Sequence, residues 1–332
     1  TARAATPLQE ISAAVAGRRQ MLAFEPPDLS KITGSHSEGT LGGTLAGNLS
    51  GPRRLQAGAA RDFILGFQAV SGLGEIFKAG GKVVKNVTGY DLPKLLCGSW
   101  GTLAVMFEVT IKVMPAPESE TTVALSGLGH EAAVQAMRTA LHLPVDVSAA
   151  AYLPNARSAG LSGAFVLLRI AGIAASVAAR VETLKDAMAE GDNWHELDTP
   201  QSQAAWQAVR DLTPLLDYPQ HLIWRVSVPP MVSPEVMRRL GRLPAIAYFC
   251  DWAGGLMWLA VPAAPHAHAE PVRATVAECG GHATLFRAPE AVRSAVPVFE
   301  PQPAALAGLT RRVKGAFDPR RILNRGRMYA GV

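Results

Sequence analysis

Residues 39–51, GTLGGTLAGNLSG, place five glycines in thirteen positions, and this density limits the possible folds more than any other stretch of the chain. Glycine costs backbone entropy, so a run of this kind is expected where the main chain needs positive φ or lies against a neighbour that tolerates no Cβ. A phosphorylated cofactor is such a neighbour. The N–H groups at 42–43 could form an anion-binding concavity, with Thr40, Asn48 and Ser50 adding hydrogen bonds. The alternative is a glycine-rich surface loop without a ligand.

The clearest strand signal follows at 103–113, where apolar residues at odd positions alternate with Ala104, Met106, Glu108, Thr110 and Lys112. A period of two over eleven residues predicts a strand with one buried face, formed by the odd positions. Pro115 and Pro117 end this strand and mark the expected domain boundary. A hairpin is predicted before it, from residues 62–70 and 75–78 joined by a Ser-Gly-Leu-Gly turn.

Shorter signals predict the remaining elements. Thr6 is expected to cap a first helix in a capping box with Gln9, and Asp91 is expected to cap a short helix. Beyond 118, strands at 163–171, 223–228, 245–252 and 256–261 and helices at 174–190 and around 206–212 predict an antiparallel sheet covered by helices. A last helix is predicted to begin at Pro303, with the tail after it returning to the first domain.

Several motifs resemble the vanillyl-alcohol-oxidase type of FAD-linked oxidases, and within it the FAD-binding subunits of bacterial glycolate oxidases. These motifs are QMLAFEPP at 20–27, LSGPRR at 49–54, RDFILG at 61–66, GGKVVKNVTGYDL at 80–92, GSWGTLAVMFEVTIKVMPAP at 98–117, GGHAT at 280–284 and the ending FDPRRILNRGRMYAGV. The resemblance implies an α+β protein: a PCMH-type FAD-binding domain at 1–117, an α+β cap domain with an antiparallel sheet at 118–302, and a C-terminal helix and tail at 303–332.

The same resemblance implies FAD as the cofactor and an expected set of contacts with it. These are Pro27, Thr40, Gly42, Gly43, Asn48, Ser50, Gly51, Gly98, Ser99, Gly101, Val105 and Asn324. For Gly98 and Gly101, a tight turn before the strand is the alternative explanation. In the resembling family a small subdomain with its own glycine-rich loop precedes these motifs and supplies much of the pyrophosphate site. We do not find it in this sequence, so we expect an N-terminally incomplete FAD-binding domain.

The resemblance also implies an oxidoreductase subunit that works with a catalytic flavin subunit and an iron–sulfur subunit to oxidise a small 2-hydroxy acid, glycolate, to glyoxylate. The cap of self-sufficient relatives carries a GDGNxH-type motif, which is not found here, and its loss fits a subunit whose partner performs the hydroxy-acid chemistry. Two alternatives remain, a structural subunit that no longer binds flavin and a stand-alone FAD-dependent oxidase.

His282 is the candidate catalytic residue, since an imidazole of ordinary pKa near a flavin could act as a base toward a hydroxy acid. The competing interpretation is a histidine that satisfies a local hydrogen bond. His266, His268 and Glu270 lie in a Pro/Ala-rich loop, where solvated side chains are expected rather than a metal site.

The composition of the chain narrows the possible classes of function and location. Three widely spaced cysteines without a CxxC pair fit a reducing compartment and cannot hold an iron–sulfur cluster alone. The net charge of +5 comes from scattered basic pairs, which argues against nucleic-acid binding. Arg169 interrupts the most apolar window, 161–179, which is better explained by a buried strand and helix than by a membrane span. We expect a cytoplasmic protein that reaches the inner face of the membrane only through partner subunits.

Overall fold

The computed structural model describes residues 1–84, 89–188, 193–243 and 246–332. Parts of three predicted segments, at 85–88 (including Lys85 and Asn86), 189–190 and 245, therefore lie outside the described residues. The strands are β1 Ala2–Arg3, β2 Gln20–Met21, β3 Ile64–Ser71, β4 Ile76–Gly80, β5 Ala104–Ile111, β6 Met114–Pro115, β7 Ser119–Ser126, β8 Ala149–Leu153, β9 Phe165–Gly172, β10 Trp194–Leu197, β11 Leu222–Ser227, β12 Ala247–Asp251, β13 Leu256–Val261 and β14 His282–Arg287.

The helices alternate with these strands along the chain. They are α1 Leu8–Ala16, α2 Ser30–Thr33, α3 Leu41–Gly47, α4 Arg54–Ala57, α5 Leu92–Leu96, α6 His130–His142, α7 Ala174–Ala187, α8 Thr199–Arg210, α9 Ser233–Leu240, α10 Ala269–Glu278, α11 Glu290–Ala295 and α12 Ala304–Phe317. Within the described residues, none of these helices combines the length and the apolar character that crossing a bilayer requires.

A small sheet has the strand order β1-β5-β3-β4, with antiparallel neighbours throughout. The predicted hairpin is confirmed as β3 and β4, and the predicted strand as β5. The predicted buried face is only partly right: Val109 is buried, but Val105 is 53% exposed and Ala104 is buried instead. The pairing of β3 with β5 shifts register between Gln68 and Ala69, and this irregularity exchanges the inward and outward positions of β5.

A larger antiparallel sheet has the order β10-β7-β9-β8-β12-β13-β11-β14 and confirms the predicted helix-covered sheet. One face packs against α6, α7, α9 and α10, and the other packs against α8. Strand β9 is apolar almost throughout because both of its faces are covered: Val166, Leu168 and Ile170 lie in one core, and Phe165 and Leu167 in the other. The apolar window at 161–179 is thus a buried strand followed by a helix, as predicted.

Two predicted caps have different outcomes. Asp91 accepts a hydrogen bond from the Lys94 N–H at 3.2 Å and caps α5, as predicted. The capping box at Thr6 is wrong, because α1 begins after Pro7 and has no side-chain cap. Helix α12 follows Pro303 as predicted, and the tail returns to the small sheet's side of the molecule, where Asn324 Nδ2 donates to the Trp100 carbonyl at 2.7 Å.

Candidate functional site

The first half of the glycine-rich segment forms helix α3 rather than a loop. Thr40 caps the helix by accepting a hydrogen bond from the Gly43 N–H at 3.2 Å, and the Gly42 N–H donates to the Ala4 carbonyl at 2.7 Å. A Cβ on Gly42 would lie 2.8 Å from the Ala4 Cβ, so this glycine permits close packing of the helix on strand β1. The predicted anion-binding concavity at 42–43 is therefore wrong, since both N–H groups are engaged inside the chain.

The second half of the segment turns away from the helix at Asn48, which has φ of 48°. Its Oδ1 accepts a hydrogen bond from the Arg61 N–H at 3.0 Å, and the Ser50 hydroxyl accepts one from the Ala60 N–H at 2.9 Å. A Cβ on Gly51 would lie 2.4 Å from the Glu25 carbonyl oxygen. These polar and glycine positions thus fix the path of the main chain at 48–51 and leave one side of it facing a cavity.

The turn at 98–102 is hydrogen-bonded directly to the end of α3. The Gly98 N–H donates to the Leu45 carbonyl at 3.0 Å, and the Trp100 N–H donates to the Ala46 carbonyl at 2.8 Å. Gly98 and Gly101 have φ of 89° and 70°, so the tight-turn explanation accounts for both glycines. The expected closeness of this turn to the glycine-rich segment is confirmed.

A cavity of about 360 Å³ opens between these two segments and the large sheet. Strands β11 and β14 supply one wall, the segment from the end of β12 to the start of β13 supplies another, and the tail forms the rim. The residues on which the site depends are Pro27, Asn48, Leu49, Ser50, Gly51, Arg54, Gly98, Trp100, Arg225, Ser227, Asp251, Trp252, Trp258, His282, Thr284, Phe299, Glu300, Met328 and Tyr329. A second cavity of about 570 Å³ shares Leu29, Leu49, Trp100, Thr284, Phe286 and Phe299 with it.

The site residues predicted from the sequence divide into two groups. Those that line the first cavity are Pro27, Asn48, Ser50, Gly51, Gly98 and His282, while Asn324 lines the second. Those that line neither cavity are Thr40, Gly42, Gly43, Ser99, Gly101 and Val105. Contact of the second group with a cofactor stays a prediction.

Asp251 is a buried acid in the cavity wall. Burial, together with the charge of Glu25, raises its pKa to about 7, although a hydrogen bond from the Trp252 N–H at 2.7 Å and the charge of Arg169 act in the opposite direction. The carboxyl therefore changes protonation state near neutral pH, in a place where it can exchange a proton with a ligand.

His282 lies exposed at the mouth of the same cavity. Partial burial, followed by the charge of Arg225, holds the pKa of His282 below its ordinary value, which keeps the ring neutral at pH 7. A neutral imidazole can accept a proton, so the geometry permits the predicted base role. The preceding Gly281 has a packing reason, since a Cβ there would lie 2.3 Å from the Ser227 carbonyl oxygen.

Sequence reasoning missed several wall residues, above all Arg225, Trp252 and Trp258. Arg225 is a single charge within the apolar strand β11, and that isolation was the available signal. Its guanidinium carbon lies 5.3 Å from the centroid of the Trp252 ring and 6.0 Å from that of Trp258.

The described ranges, which include His266 and Glu270, contain no group of three or more His, Cys, Asp or Glu side chains with metal-binding geometry.

The cavity fits a flavin ring in size and in chemistry. Its volume falls within the roughly 300–1,000 Å³ of small-molecule sites. Flat aromatic side chains line it, with a few polar groups placed among them, and its glycine-bearing segments bring main chain to the surface. The pyrophosphate-binding role predicted for 42–43 has no free N–H groups to carry it, so the fit concerns the ring rather than the phosphates.

Comparisons with known proteins agree with this assignment. A family model described as an FAD binding domain matches residues 1–80. The glycolate oxidase subunit GlcE of Escherichia coli (strain K12) is 33% identical over 99% of this chain and 81% of its own length. The glycolate oxidase subunit GlcD of Bacillus subtilis (strain 168) is 41% identical, but over 30% of this chain and 20% of its own length.

The solved structures of alkyldihydroxyacetonephosphate synthase match the fold. One has a TM-score of 0.61 at 16% sequence identity and covers 96% of this chain, which spans 63% of that protein. A second crystal form gives a TM-score of 0.59 at 14% identity. At this identity the likeness establishes the fold alone.

Proposed function

The chain belongs to the family of the glycolate oxidase subunit GlcE, and from this we propose that it is the FAD-binding subunit of a glycolate oxidase complex. The complex would oxidise glycolate to glyoxylate through this chain, a catalytic flavin subunit and an iron–sulfur subunit. As a member of this family, the chain is an FAD-dependent oxidoreductase subunit. The cavity between the glycine-rich segment and the turn at 98–102 is the single observation that carries the proposal.

A small set of residues that line the cavity would hold the flavin. Main chain at 48–51 and at Gly98 would lie against the ring, and Trp100 and Trp252 would supply apolar walls. FAD, when bound, supplies the acceptor for the hydride or electrons removed from the hydroxy acid. The chain itself orients the ring and excludes water, with Met328 and Tyr329 of the tail closing the rim.

We assign the proton transfer of this site to His282, whose neutral ring at the cavity mouth can accept a proton from a hydroxyl group. We also propose that the domains are divided as the sequence predicts, with flavin binding in 1–117, a cap in 118–302 and a tail in 303–332 that returns to the first. Any contact with the inner face of the membrane would come through the partner subunits.

An absorbance spectrum tests the proposal directly. Purified chain incubated with FAD and freed of excess cofactor is expected to retain the visible flavin bands. Retention of no flavin would overturn the proposal in favour of a structural subunit. Glycolate-dependent dye reduction by the chain alone would instead indicate a stand-alone oxidase, whereas reduction that requires the partner subunits is the expected result.

A further inference from the structure

Two arginines from different parts of the chain lie around one tryptophan in the cavity wall. Arg54 belongs to α4, next to the glycine-rich segment, and its guanidinium carbon lies 4.2 Å from the centroid of the Trp252 ring. Arg225 belongs to β11 of the large sheet, and its guanidinium carbon lies 5.3 Å from the same centroid. Both side chains line the cavity. Two cations therefore occupy one corner of the site.

Within the part of the chain that the structure describes, the guanidinium of Arg225 has no carboxylate at ion-pair distance and donates no hydrogen bond. Burial and then the charge of Arg54 lower the pKa of Arg225 to about 10, so the group still carries its proton at neutral pH. Arg225 is half-buried, and a charge in such a place is costly unless a partner or a ligand pairs with it. Stacking on tryptophan compensates only a part of that cost.

The acids around the cavity have other partners. Glu300 accepts a hydrogen bond from the Ala283 N–H at 3.1 Å and lies 3.6 Å from the Nε of Arg273. The electrostatic neighbours of Asp251 are Glu25 and Arg169. Neither acid lies at ion-pair distance from Arg225. The charge of Asp62 acts on Arg54, but Asp62 does not line the cavity, so the corner around Trp252 presents net positive charge to whatever enters it.

We propose that Arg54 and Arg225 form a binding site for the carboxylate of a small 2-hydroxy acid, so that this chain, and not only its partner, holds the substrate. The proposal rests on the proposed function, and it names the group that recognises the substrate in that site. A guanidinium presents paired N–H donors that match the two oxygens of a carboxylate. The Ser227 and Thr284 hydroxyls lie in the same wall and could receive or donate a hydrogen bond from the substrate hydroxyl.

Titration of the full chain with glycolate, followed by calorimetry and by tryptophan fluorescence, tests the site. Fluorescence is informative because Trp252 would lose part of its contact with the two cations when a carboxylate binds. The titration is performed with FAD-free and with FAD-loaded protein, and ethylene glycol serves as the uncharged analogue. We expect saturable glycolate binding in both forms and none with ethylene glycol.

Three variants and one control variant sharpen the result. Arg225→Met and Arg54→Met are each expected to weaken glycolate binding at least about tenfold, and Arg225→Lys to restore a part of it. Arg238→Met is the matched control, because Arg238 is an exposed arginine paired with Glu235 on α9, and it should bind glycolate as the unaltered chain does.

Two outcomes would overturn the proposal while leaving the proposed function intact. The first is a flavin-containing chain in which Arg225→Met binds glycolate as tightly as the unaltered protein. The second is glycolate binding that is abolished when FAD is bound, together with tight binding of inorganic phosphate or pyrophosphate. That result would assign Arg54 and Arg225 to the cofactor. Loss of flavin from the unaltered chain instead overturns the proposed function.

Discussion

The carboxylate of Glu25 accepts a hydrogen bond at 3.0 Å from the guanidinium of Arg169, a residue of strand β9 that lies 144 positions further along the chain. Arg53 donates from its Nε to the same carboxylate at 3.1 Å, and Glu120 lies 3.5 Å from Arg53 and 3.9 Å from Arg169. Two acids and two bases therefore form a closed buried cluster. The cluster joins the loop after β2 to the large sheet, directly behind the wall that contains Asp251.

Glu25→Gln is expected to lower the free energy of unfolding by about 3–5 kcal/mol, because it leaves two buried arginines with one acid between them. Burial raises the pKa of Glu25, but the charges and hydrogen bonds of Arg169 and Arg53 outweigh it and hold the pKa below its ordinary value. Denaturant unfolding at pH 7 measures the effect. Glu235→Gln, which breaks an exposed ion pair on α9, is the control and should change little.

The same lowered pKa predicts acid sensitivity. Since the folded state binds the Glu25 proton less tightly than the unfolded state, the stabilisation is complete above the unfolded pKa and is lost as the pH falls through the folded one. The unaltered chain should lose more stability on acidification than Glu25→Gln does. Equal losses in the two proteins would contradict a role for this carboxylate.

Asp251→Asn is expected to stabilise the protein above pH 7 and to have a smaller effect at pH 5. The folded pKa of about 7 exceeds the ordinary value, so the folded state favours the protonated acid, and stability is lost as the pH rises toward 7. Asparagine keeps an oxygen that can accept from the Trp252 N–H and removes the buried charge, which is a change of about 1–3 kcal/mol. Unfolding curves at pH 5 and pH 8 test this prediction, and a gain that is the same at both values would refute it.

The burial of His130 predicts a further pH dependence of stability. His130 is a base whose pKa is lowered by burial, whereas Asp251 is an acid whose pKa is raised by it. Its ring stacks on Tyr152 with centroids 5.2 Å apart, and its Nε2 lies 3.2 Å from the Ser233 hydroxyl. Burial lowers the pKa of His130 to about 4, so between roughly pH 6.5 and 4 the unfolded state binds a proton that the folded state does not. Stability should therefore decrease as the pH is lowered across that window. His130→Phe, which keeps an aromatic ring, should show a smaller decrease when stability is measured by urea unfolding.

Lys314→Met is expected to destabilise the tail and speed its cleavage by trypsin. The Lys314 ammonium is buried and donates to the Asp318 carboxylate at 2.7 Å, to the Thr102 carbonyl at 2.6 Å and to the Leu323 carbonyl at 2.8 Å. Its loss leaves Asp318 with backbone donors alone and frees the tail from the turn at 98–102. Lys185→Met, at a partly exposed lysine on α7 that pairs with Glu182 and Glu196, is the control. An identical cleavage rate in the two variants would argue against this anchor.

Local patterns in the sequence were enough to predict several elements. The β3–β4 hairpin, the Asp91 cap and the doubly covered strand β9 each follow from residues that are close together in the chain. Helix α3 was not predicted, because glycine disfavours helices. The Thr40 cap and the packing of Gly42 on Ala4 override this preference.

Local patterns in the sequence also predicted a part of the site. The turns at 48–51 and at Gly98 carry recognisable glycines, and both line the cavity. Arg225 and Trp258 enter the wall through strand pairing between distant segments, which no local pattern encodes. The face exchange in β5 also depends on a partner strand, since the register shift lies in its pairing with β3.

The tail's place in the cavity wall has a consequence for how the protein is made. Asn324 is hydrogen-bonded to the Trp100 carbonyl, and Met328 and Tyr329 line a cavity to which the segments at 48–51 and 98–100 also contribute. During translation the segments at 48–51 and 98–102 leave the ribosome long before residues 324–329 do. The pocket therefore closes only after residues 324–329 have been made, and a nascent chain halted at residue 300 would expose its aromatic walls to chaperones rather than to cofactor.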